Sequence, residues 1–395
     1  MDVDDDARTI GRRLRQIRNS QKKGLRVVSG LAGMSKSKLS LIERGELALD
    51  SRSDIVALAN ALQIAPTELM RLPVPMPANG DTDAATNEIR RVLQAVVTGA
   101  PNGQVQTVEQ LSTRVRAMVG DLQERCAHRE MGAALPGLIA DLHASIAAGH
   151  DDARLLHLAV PLHVLGTQTY LKIMRAPDDL RLVAALLAND AAQRRDHPVS
   201  LGLAAFGLSS VLLASGSFAL ADDIVRRAGV TPGADAQLAG MLALSASLTA
   251  AADQRPTDVE AALDYAADLA QRTGEGNRFS LSFGPTNVTL WRIAAALEAG
   301  DYERAVALAE TVTPERIRAS ARRTAYWMDY GRALARVRRR DDAVAALRRA
   351  EKISPDEVPR HPFVREVLGE LLARSRQDAS GRELRGMAYR AGLPV

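Results

Sequence analysis

The sequence predicts an all-α fold in which a small N-terminal domain precedes a longer helical body. Only 3% of the 395 residues are aromatic, whereas 67 are alanine. This composition favours helices over the Val-, Ile- and aromatic-rich strands of sandwiches and barrels. Apolar residues recur at helical spacing along the chain, and Pro and Gly separate the helical segments. At roughly 100–200 residues per domain, the length allows two to three domains.

The net charge of +4 is concentrated near one end of the chain. Residues 7–72 contain 13 basic and five acidic side chains, and the basic and acidic residues after Leu72 balance. A compact basic domain attached to a neutral body indicates a polyanionic partner.

Cysteine content and the start of the chain lead us to expect a cytoplasmic protein. The single cysteine, Cys126, excludes an intramolecular disulfide framework, and the acidic residues 1–6 are unlike the basic start of a signal peptide. Residues 198–221 are uncharged over a length that could span a bilayer, but five Ser, three Gly and a Pro lower their hydropathy. We interpret this stretch as a buried helical hairpin that turns at residues 215–217.

Five short helices are predicted in the N-terminal domain. Ile10, Leu14 and Ile17 recur on one face of the first helix. Gly33 is typical of a helix end, and Ser35 is typical of an N-cap for the next helix. The predicted helices run from about residue 9 to the turn at 22–24 and then over 25–32, 36–44, 53–62 and 66–71.

The rest of the chain divides into a linker and a helical body. Residues 73–86 begin with alternating Pro, which predicts an extended, semi-rigid linker after the domain at 7–72. Residues 87–395 contain only helical patterns and turns. Within them a stripe at helical spacing indicates core packing or, as the less common alternative, a seam for a partner helix; it consists of Leu111, Val115, Met118 and Leu122.

Helix pairs recur in the body after residue 155. The best copy contains Trp327, Tyr330, Gly331 and Leu334, followed by Ala343, Leu347, Ala350 and Pro355. This pattern is similar to the tetratricopeptide repeat, in which small residues allow paired helices to approach closely. Further copies place the small residues at Ala221, Ala262, Ala305 and Ala343. Their spacings exceed the 34 residues of a regular repeat, which predicts an irregular α-solenoid.

The segment from Ile10 to Leu72 resembles the Cro and phage-repressor, or xenobiotic-response-element, type of helix-turn-helix domain. The resemblance rests on residues 29–35 (SGLAGMS), on residues 36–45 (KSKLSLIERG) and on residues 55–69 (IVALANALQIAPTEL). It implies a five-helix, lambda-repressor-like DNA-binding domain whose third helix enters the major groove of double-stranded DNA.

The resemblance assigns roles to residues of the third and neighbouring helices. Because such a helix presents base-reading groups from its first turns, we expect base contacts from Lys36, Ser37, Ser40 and Leu41. Lys38 and Arg44 are expected to reach phosphates. Where many relatives carry a backbone-contacting Gln, this chain has Leu25, and Arg26 is expected to take over the phosphate contact. The resemblance also implies a structural salt bridge between Arg18 and Glu43.

No enzyme or metal signature is found in the body. The chain contains neither a G-x-x-x-x-G-K-[ST] nor an H-E-x-x-H motif, so we expect no catalytic residues and no cofactor. Four histidines form a loose series, but Gly149 and two Asp interrupt it, and we expect solvated or core side chains rather than metal ligands. These histidines are His143, His150, His157 and His163.

The layout as a whole resembles the peptide-pheromone-sensing regulators of Gram-positive bacteria. We therefore expect a homodimer whose paired recognition helices read a palindromic operator. The concave groove of its solenoid is expected to bind a peptide or small molecule. Asn287 and Arg332 are expected to face this groove, near Trp291 and Trp327, although packing between helices is the commoner role of such aromatic residues. The alternative is a DNA-bound scaffold whose solenoid docks another protein without a small effector.

Overall fold

The computed structural model of the protein describes residues 9–72, 81–149, 152–230, 232–374 and 379–395. Over these residues every regular element is a helix, in agreement with the composition. The same part of the chain contains no helix with the length and apolar character needed to cross a membrane.

The N-terminal domain, residues 9–72, folds as five helices around one apolar core. Its helices are α1 (Ile10–Ser20), α2 (Leu25–Leu31), α3 (Lys36–Glu43), α4 (Arg52–Leu62) and α5 (Pro66–Met70). The five predicted helices are therefore confirmed, with ends that differ by about one residue. Ile10, Leu14, Leu39, Ile42 and Leu58 are among the fully buried core side chains.

Local hydrogen bonds explain why these helices begin where they do. The Thr9 hydroxyl accepts a hydrogen bond from the backbone N–H of Arg12 at 3.3 Å, and the Ser35 hydroxyl accepts one from Lys38 at 3.0 Å. Each satisfies an N–H group that has no partner inside its helix. Pro66 occupies the first position of α5, where its missing N–H costs nothing.

The helical body, residues 81–395, contains the remaining α-helices. They are α6 (Asp81–Val97), α7 (Val108–Arg116), α8 (His128–Ala147), α9 (Asp152–Pro161), α10 (Gln168–Ile173), α11 (Asp178–Arg195), α12 (Pro198–Ala214), α13 (Phe218–Ala228), α14 (Pro232–Ala252), α15 (Pro256–Thr273), α16 (Pro285–Ala299), α17 (Tyr302–Glu310), α18 (Ser320–Arg336), α19 (Arg340–Ile353), α20 (Pro362–Ala373) and α21 (Ala379–Arg390).

Most of the body is a succession of stacked helices. The helices α12, α14, α16, α18 and α20 pack on one another in a row. The helices α13, α15, α17 and α19 each pack against neighbours in that row, and α21 packs against α19 and α20. The stretch 198–221 is a hairpin of α12 and the start of α13 with a turn at Ser215 to Ser217, as predicted, and its apolar residues are largely buried.

The start of the body differs from the predicted linker boundary. Residues 73–80 lie outside the described residues, and α6 already begins at Asp81. Residues 81–86, which we predicted to belong to the linker, are therefore helical.

The stripe in α7 lies in the core of the chain. Leu111, Val115 and Met118 are at most 2% exposed, and Leu122 is half-buried. Its second half, Ala117–Leu122, is a π-helix, and it packs against a second π-helix, Leu162–Thr167. The 3.6-residue period of the sequence did not predict this wider turn.

One small residue of the repeat pattern was misplaced. Ala262 is half-buried, whereas Ala266 and Ala270 on the next turns of α15 are completely buried. Ala221, Ala305 and Ala343 are completely buried, as expected. In α15, Ala266 and Ala270 rather than Ala262 therefore lie on the buried face of the helix.

Gly11→Ala should destabilise the N-terminal domain. A Cβ atom at Gly11 would lie 2.3 Å from the backbone oxygen of Ile42, where α1 crosses α3. Because a backbone atom cannot move aside as a side chain does, we expect a loss of about 3 kcal/mol in the free energy of unfolding. Urea unfolding measures this loss.

Gly30→Ala is the matched control, because a Cβ atom there meets nothing within 4 Å. It should leave stability unchanged or raise it by about 0.5–1 kcal/mol. Equal unfolding midpoints for Gly11→Ala and the unsubstituted protein would contradict the close approach of α1 and α3.

Candidate nucleic-acid interface

The helices α2 and α3 are joined by a tight turn that fixes their relative orientation. Gly33 has φ of +66°, a left-handed conformation that favours glycine. The backbone N–H of Met34 donates to the carbonyl of Ser29 at 2.9 Å, and Ser35 then caps α3. The sequence thus places the first turn of α3 at a defined angle to α2.

The helix α3 has one buried and one exposed face. Leu39, Ile42 and Glu43 are buried, whereas Lys36 and Ser37 are exposed. The predicted base-contacting residues Ser40 and Leu41 are half-buried. The first turn of α3 is therefore the part of the helix that is most exposed to a partner. Ser40 and Leu41 lie one turn further toward the C-terminus of the same helix.

Two of the predicted phosphate contacts are paired with acidic residues of their own domain. The Lys38 ammonium lies 2.7 Å from Asp54 Oδ2. The Arg44 guanidinium donates to Glu46 at 2.5 Å and to the Ser40 hydroxyl at 2.8 Å. The hydrogen bond between Arg44 and Glu46 raises the pKa of Arg44 and lowers that of Glu46. All of these side chains lie at the surface, where such pairs are easily exchanged.

Arg26, the third predicted phosphate contact, is exposed on α2. Its guanidinium has no hydrogen bond or ion pair with the residues that the structure describes, although its backbone carbonyl accepts a hydrogen bond from the Ser29 hydroxyl at 3.2 Å. Leu25, which stands in the place of the family's Gln, is half-buried against the domain core. Among the expected phosphate contacts, the side chain of Arg26 is the one with no competing acid.

Arg18 and Glu43, the pair implied by the resemblance, are in direct contact. Arg18 Nε lies 2.5 Å from Glu43 Oε1, Arg18 Nη2 lies 2.8 Å from Oε2, and Nη1 donates to the carbonyl of Lys23 at 2.8 Å. The Glu43 side chain is only 4% exposed. This bidentate salt bridge joins the end of α1 to the end of α3 and keeps the Glu43 carboxylate away from the exposed face of α3.

Two acidic side chains of the body bind the backbone of the N-terminal domain. Glu366 of α20 accepts hydrogen bonds from the N–H of Ile10, at the start of α1, and from the N–H of Leu49 at 3.4 Å. One turn later, Glu370 accepts from the N–H of Ala48 at 3.0 Å. The first N–H groups of a helix have no partner within it, so Glu366 caps α1 from a different domain. We call this contact region the docking interface.

Asp50 lies between two arginines of α18 in the same interface. Arg336 forms an ion pair with Asp50 and donates to the carbonyl of Ala48 at 2.6 Å. Arg332 donates to the carbonyl of Asp50 at 3.0 Å. Burial would raise the pKa of Asp50, but the charges of Arg336 and Arg332 hold it below its ordinary value. This buried cluster therefore keeps its charges, which are paired with one another.

An aromatic side chain of the body completes the core of the N-terminal domain. Phe363 of α20 is 3% exposed and packs among the core residues of α1–α5. The guanidinium carbon of Arg332 lies 4.8 Å from the centre of its ring, and that of Arg52 lies 5.4 Å away. Arg52 also forms an ion pair with Glu298 of α16. The docking interface thus contains apolar contacts as well as charges.

The four residues predicted to bind a ligand are buried or half-buried in the structure. Arg332 is buried in the docking interface, where it binds Asp50 and Asp329, and is not open to a ligand there. Asn287 is buried and donates to the carbonyl of Leu281 at 3.4 Å. Trp291 is half-buried in the body core, and Trp327 packs with Tyr326 and Tyr330 and under Arg349. Their role in ligand binding stays a prediction.

Two of the four histidines meet inside the body. The Nε2 atoms of His143 and His163 lie 2.8 Å apart, and burial lowers the pKa of both. His157 is exposed, and His150 lies outside the described residues. Over the described residues, no group of three or more His, Cys, Asp or Glu is arranged to hold a metal ion.

Sequence reasoning missed the docking residues Glu298, Glu366 and Glu370. Each lies in an amphipathic helix, where an isolated acid is ordinarily solvated. Their only local signal is the spacing of Glu366 and Glu370, which puts two acids on one face of α20 next to the apolar residues of that helix.

Glu366→Gln should remove a pH-dependent part of the stability. Burial raises the pKa of Glu366 from 4.5 to about 7, so the folded protein holds a proton that the unfolded chain releases. The contribution of protonated Glu366 is fully present below about pH 4.5 and is lost as the pH rises through 7. At about 1.4 kcal/mol per pKa unit, this loss amounts to about 3 kcal/mol.

Urea unfolding at pH 5 and at pH 7.5 tests this expectation for the unsubstituted protein and the variant. The variant should lose less stability between the two pH values, because its amide does not titrate. Glu303→Gln, at an exposed site on α17, is the matched control and should leave the pH dependence unchanged. Parallel profiles for Glu366→Gln and the unsubstituted protein would contradict the protonated, buried state.

Comparison with known proteins identifies the N-terminal domain. The profile of a family described as a helix-turn-helix domain matches residues 9–72, the range that contains α1–α5. No curated protein matches the chain. The matched range is a minor part of the 395 residues and describes the first domain alone. Residues 9–72 are a helix-turn-helix domain, which indicates a DNA-binding regulator.

Proposed function

We propose that the protein is a cytoplasmic, homodimeric transcription regulator whose helix α3 enters the major groove of a palindromic operator. The observation that carries this proposal is the exposure of Lys36 and Ser37 on the first turn of α3, within a basic helix-turn-helix domain. A recognition helix reads base edges from its first turns, and two such domains in a dimer read half-sites about one helical turn apart.

The docking interface does not cover the first turn of α3. The contacts with the body described above come from Ile10, from residues 48–52 and from the core around Phe363. None of these contacts involves Lys36 or Ser37. The N-terminal domain can therefore stay attached to the body while α3 binds DNA.

Cations around α3 supply the phosphate contacts of this proposal. On binding DNA, Lys38 leaves its ion pair with Asp54 and Arg44 leaves its ion pair with Glu46, and each binds a phosphate oxygen instead. Arg26, which lies on α2, also binds a phosphate. An exposed ion pair contributes only about 0–1 kcal/mol, so the exchange costs little. Each phosphate contact releases condensed counterions, which makes binding dependent on salt. Ser40 and Leu41 follow Lys36 and Ser37 into the groove.

We further propose that the body is an irregular α-solenoid of tetratricopeptide-like pairs that dimerises and binds a peptide or small-molecule effector. The row of helices α12 to α20 supports this proposal, as does the close pairing of α18 with α19. A Cβ atom at Gly331 would lie 2.7 Å from Leu347 Cγ and 3.4 Å from the carbonyl oxygen of Ala343. We propose no enzymatic activity for the chain.

The docking interface gives the effector a route to α3. An effector shifts an equilibrium only if it binds one conformation better than another. Because α18 and α20 hold the N-terminal domain, a change in their packing rotates the domain and alters the distance between the two α3 helices of a dimer. Native mass spectrometry of the protein purified from its host tests both the dimer and the bound effector. A dimer with a retained ligand supports the effector, and a dimer without one favours the scaffold alternative.

The double variant Lys36→Ala/Ser37→Ala should lose operator preference. Each good base contact contributes about 1–3 kcal/mol of discrimination, so affinity for DNA fragments selected by the unsubstituted protein should fall about 10- to 100-fold. Binding to unrelated DNA should persist, because it depends on phosphate contacts and salt. Titrations of both DNA types at two salt concentrations measure these effects.

Lys352→Ala, at an exposed site on α19, removes the same charge from the body and is the control. It should leave both affinities unchanged. The assignment of α3 would be wrong if the double variant kept the operator preference and footprint of the unsubstituted protein.

A further inference from the structure

A cavity of about 280 Å³ lies in the first part of the helical body. It is bordered by α7, by α9 and by the connection between α11 and α12, and α9 packs against α7, α11 and α12. The helices of the docking interface, α16, α18 and α20, contribute none of its described lining residues. Its volume is at the small end of the range that is typical of small-molecule pockets.

The helix α9 contributes both polar and apolar side chains to this cavity. Arg154 and His157 are three residues apart and Leu158 follows directly, so the three side chains lie close together on the helix surface. Arg154 and His157 are exposed, whereas Leu158 is half-buried against the core of the body. Val108 of α7, which is 7% exposed, is a second apolar lining residue. The cavity therefore has an apolar part beside its basic side chains.

The connection between α11 and α12 brings two further basic side chains to the cavity. Asp196 has φ of +46°, and its backbone N–H donates to the carbonyl of Ala192 at 3.0 Å, which ends α11 directly after Arg195. His197 is extended, as expected of a residue before proline, and Pro198 then begins α12. This short connection places Arg195 and His197 at the same cavity.

The polar lining of the cavity is basic. Apart from Ser112 it consists of two arginines and two histidines, and none of the described lining residues is acidic. Glu109 lies outside the lining and forms an ion pair with Arg154 at 2.9 Å, but both side chains are exposed, and such pairs are easily exchanged for another anion. Asp152 and Asp196 are neighbours of lining residues along the chain and do not line the cavity themselves. The described lining thus offers an anion several donors and no carboxylate.

The guanidinium of Arg195 forms no hydrogen bond or ion pair with the residues that the structure describes. Its Nε atom is shielded from solvent, and a buried N–H group without an acceptor is unfavourable. A ligand oxygen that accepts from this guanidinium removes that cost. By contrast, the preceding Arg194 forms an ion pair with Asp190 at 3.6 Å and does not line the cavity. Arg195 is therefore the arginine that an anion in the cavity can bind without displacing a carboxylate.

We propose that this cavity, which we call the Arg195 cavity, binds a small organic anion through a carboxylate or phosphate group. Arg195 donates the charged hydrogen bonds, since a guanidinium matches the oxygens of both groups. His157 and His197 donate further hydrogen bonds, because an imidazole carries at least one N–H in either protonation state. The apolar part of the anion lies against Val108 and Leu158. The site goes beyond the proposed function, because none of its described lining residues belongs to the N-terminal domain.

Calorimetric titration of the full chain with three aromatic probes tests the site. Phenyl phosphate and benzoate carry the two anionic groups, and benzyl alcohol is the uncharged control. At least one of the anions should bind once per chain and about tenfold or more tightly than benzyl alcohol, because the alcohol cannot accept the charged hydrogen bonds. The anion that binds more tightly identifies phosphate or carboxylate as the preferred group.

Substitutions in and beside the cavity locate the bound anion. Arg195→Gln should weaken its binding about tenfold or more, and Arg195→Lys, which keeps the charge but not the planar fork, should retain part of the affinity. Arg194→Gln removes the same charge at the adjacent position and is the matched control, with unchanged binding. Ala153→Phe fills the cavity without a change of charge and should also abolish binding. Because Ala153 is an exposed lining residue of α9, this variant should stay folded.

The proposal is overturned if neither anion binds more tightly than benzyl alcohol, or if Arg195→Gln binds the anion as the unsubstituted protein does. It is also overturned if Arg194→Gln and Arg195→Gln lose equal affinity, which would indicate general attraction to a basic surface. Thermal unfolding without ligand shows whether each variant is folded. Should Arg195→Gln fail to fold, Ala153→Phe decides the question: full binding by this variant contradicts the site, and loss of binding supports it.

Discussion

The arrangement of this protein depends on the hydrogen bonds between Glu366 and Glu370 of α20 and the backbone of the N-terminal domain. A side chain that binds another side chain can be lost by many substitutions, whereas backbone N–H groups are present whatever the sequence. Glu366 and Glu370 therefore bind the backbone conformation at Ile10, Ala48 and Leu49 rather than particular side chains. Since Glu366 caps α1, the first helix of the DNA-binding domain is completed by the last part of the body.

The charges around Asp50 act differently from these backbone contacts. A buried ion pair adds little net stability, because desolvation offsets most of the attraction, but an unpaired member is costly. Arg332 and Arg336 therefore tolerate only one placement of the segment that contains Asp50. Phe363 adds an apolar contact that has no preferred direction, because its ring is buried in the core of the N-terminal domain. Apolar contact provides attraction, and the charges determine orientation.

The sequence predicted what is local and missed what is distant. The ends of α1–α5 depend on caps, prolines and glycines within a few residues, so they were predicted to about one residue. The contact between Arg18 and Glu43 followed from the resemblance. The docking interface joins residues more than 240 positions apart, and no spacing rule relates them. Arg332 was expected to face a groove because helical periodicity shows which residues share a face of a helix. It does not show which part of the protein packs against that face. Ala262 was misplaced for the same reason.

The position of Phe363 in the core of the first domain bears on how the chain is made. A domain at the N-terminus usually folds while the rest is still being synthesised, at about 5–20 residues per second. Here the ring that closes the core is translated roughly 290 residues after Leu72, a delay of roughly 15–60 s. Until then the N-terminal domain lacks the Phe363 ring in its core and the hydrogen bond that the first N–H of α1 donates to Glu366. The N-terminal domain therefore reaches the packing seen in the structure only after residue 366 has been synthesised.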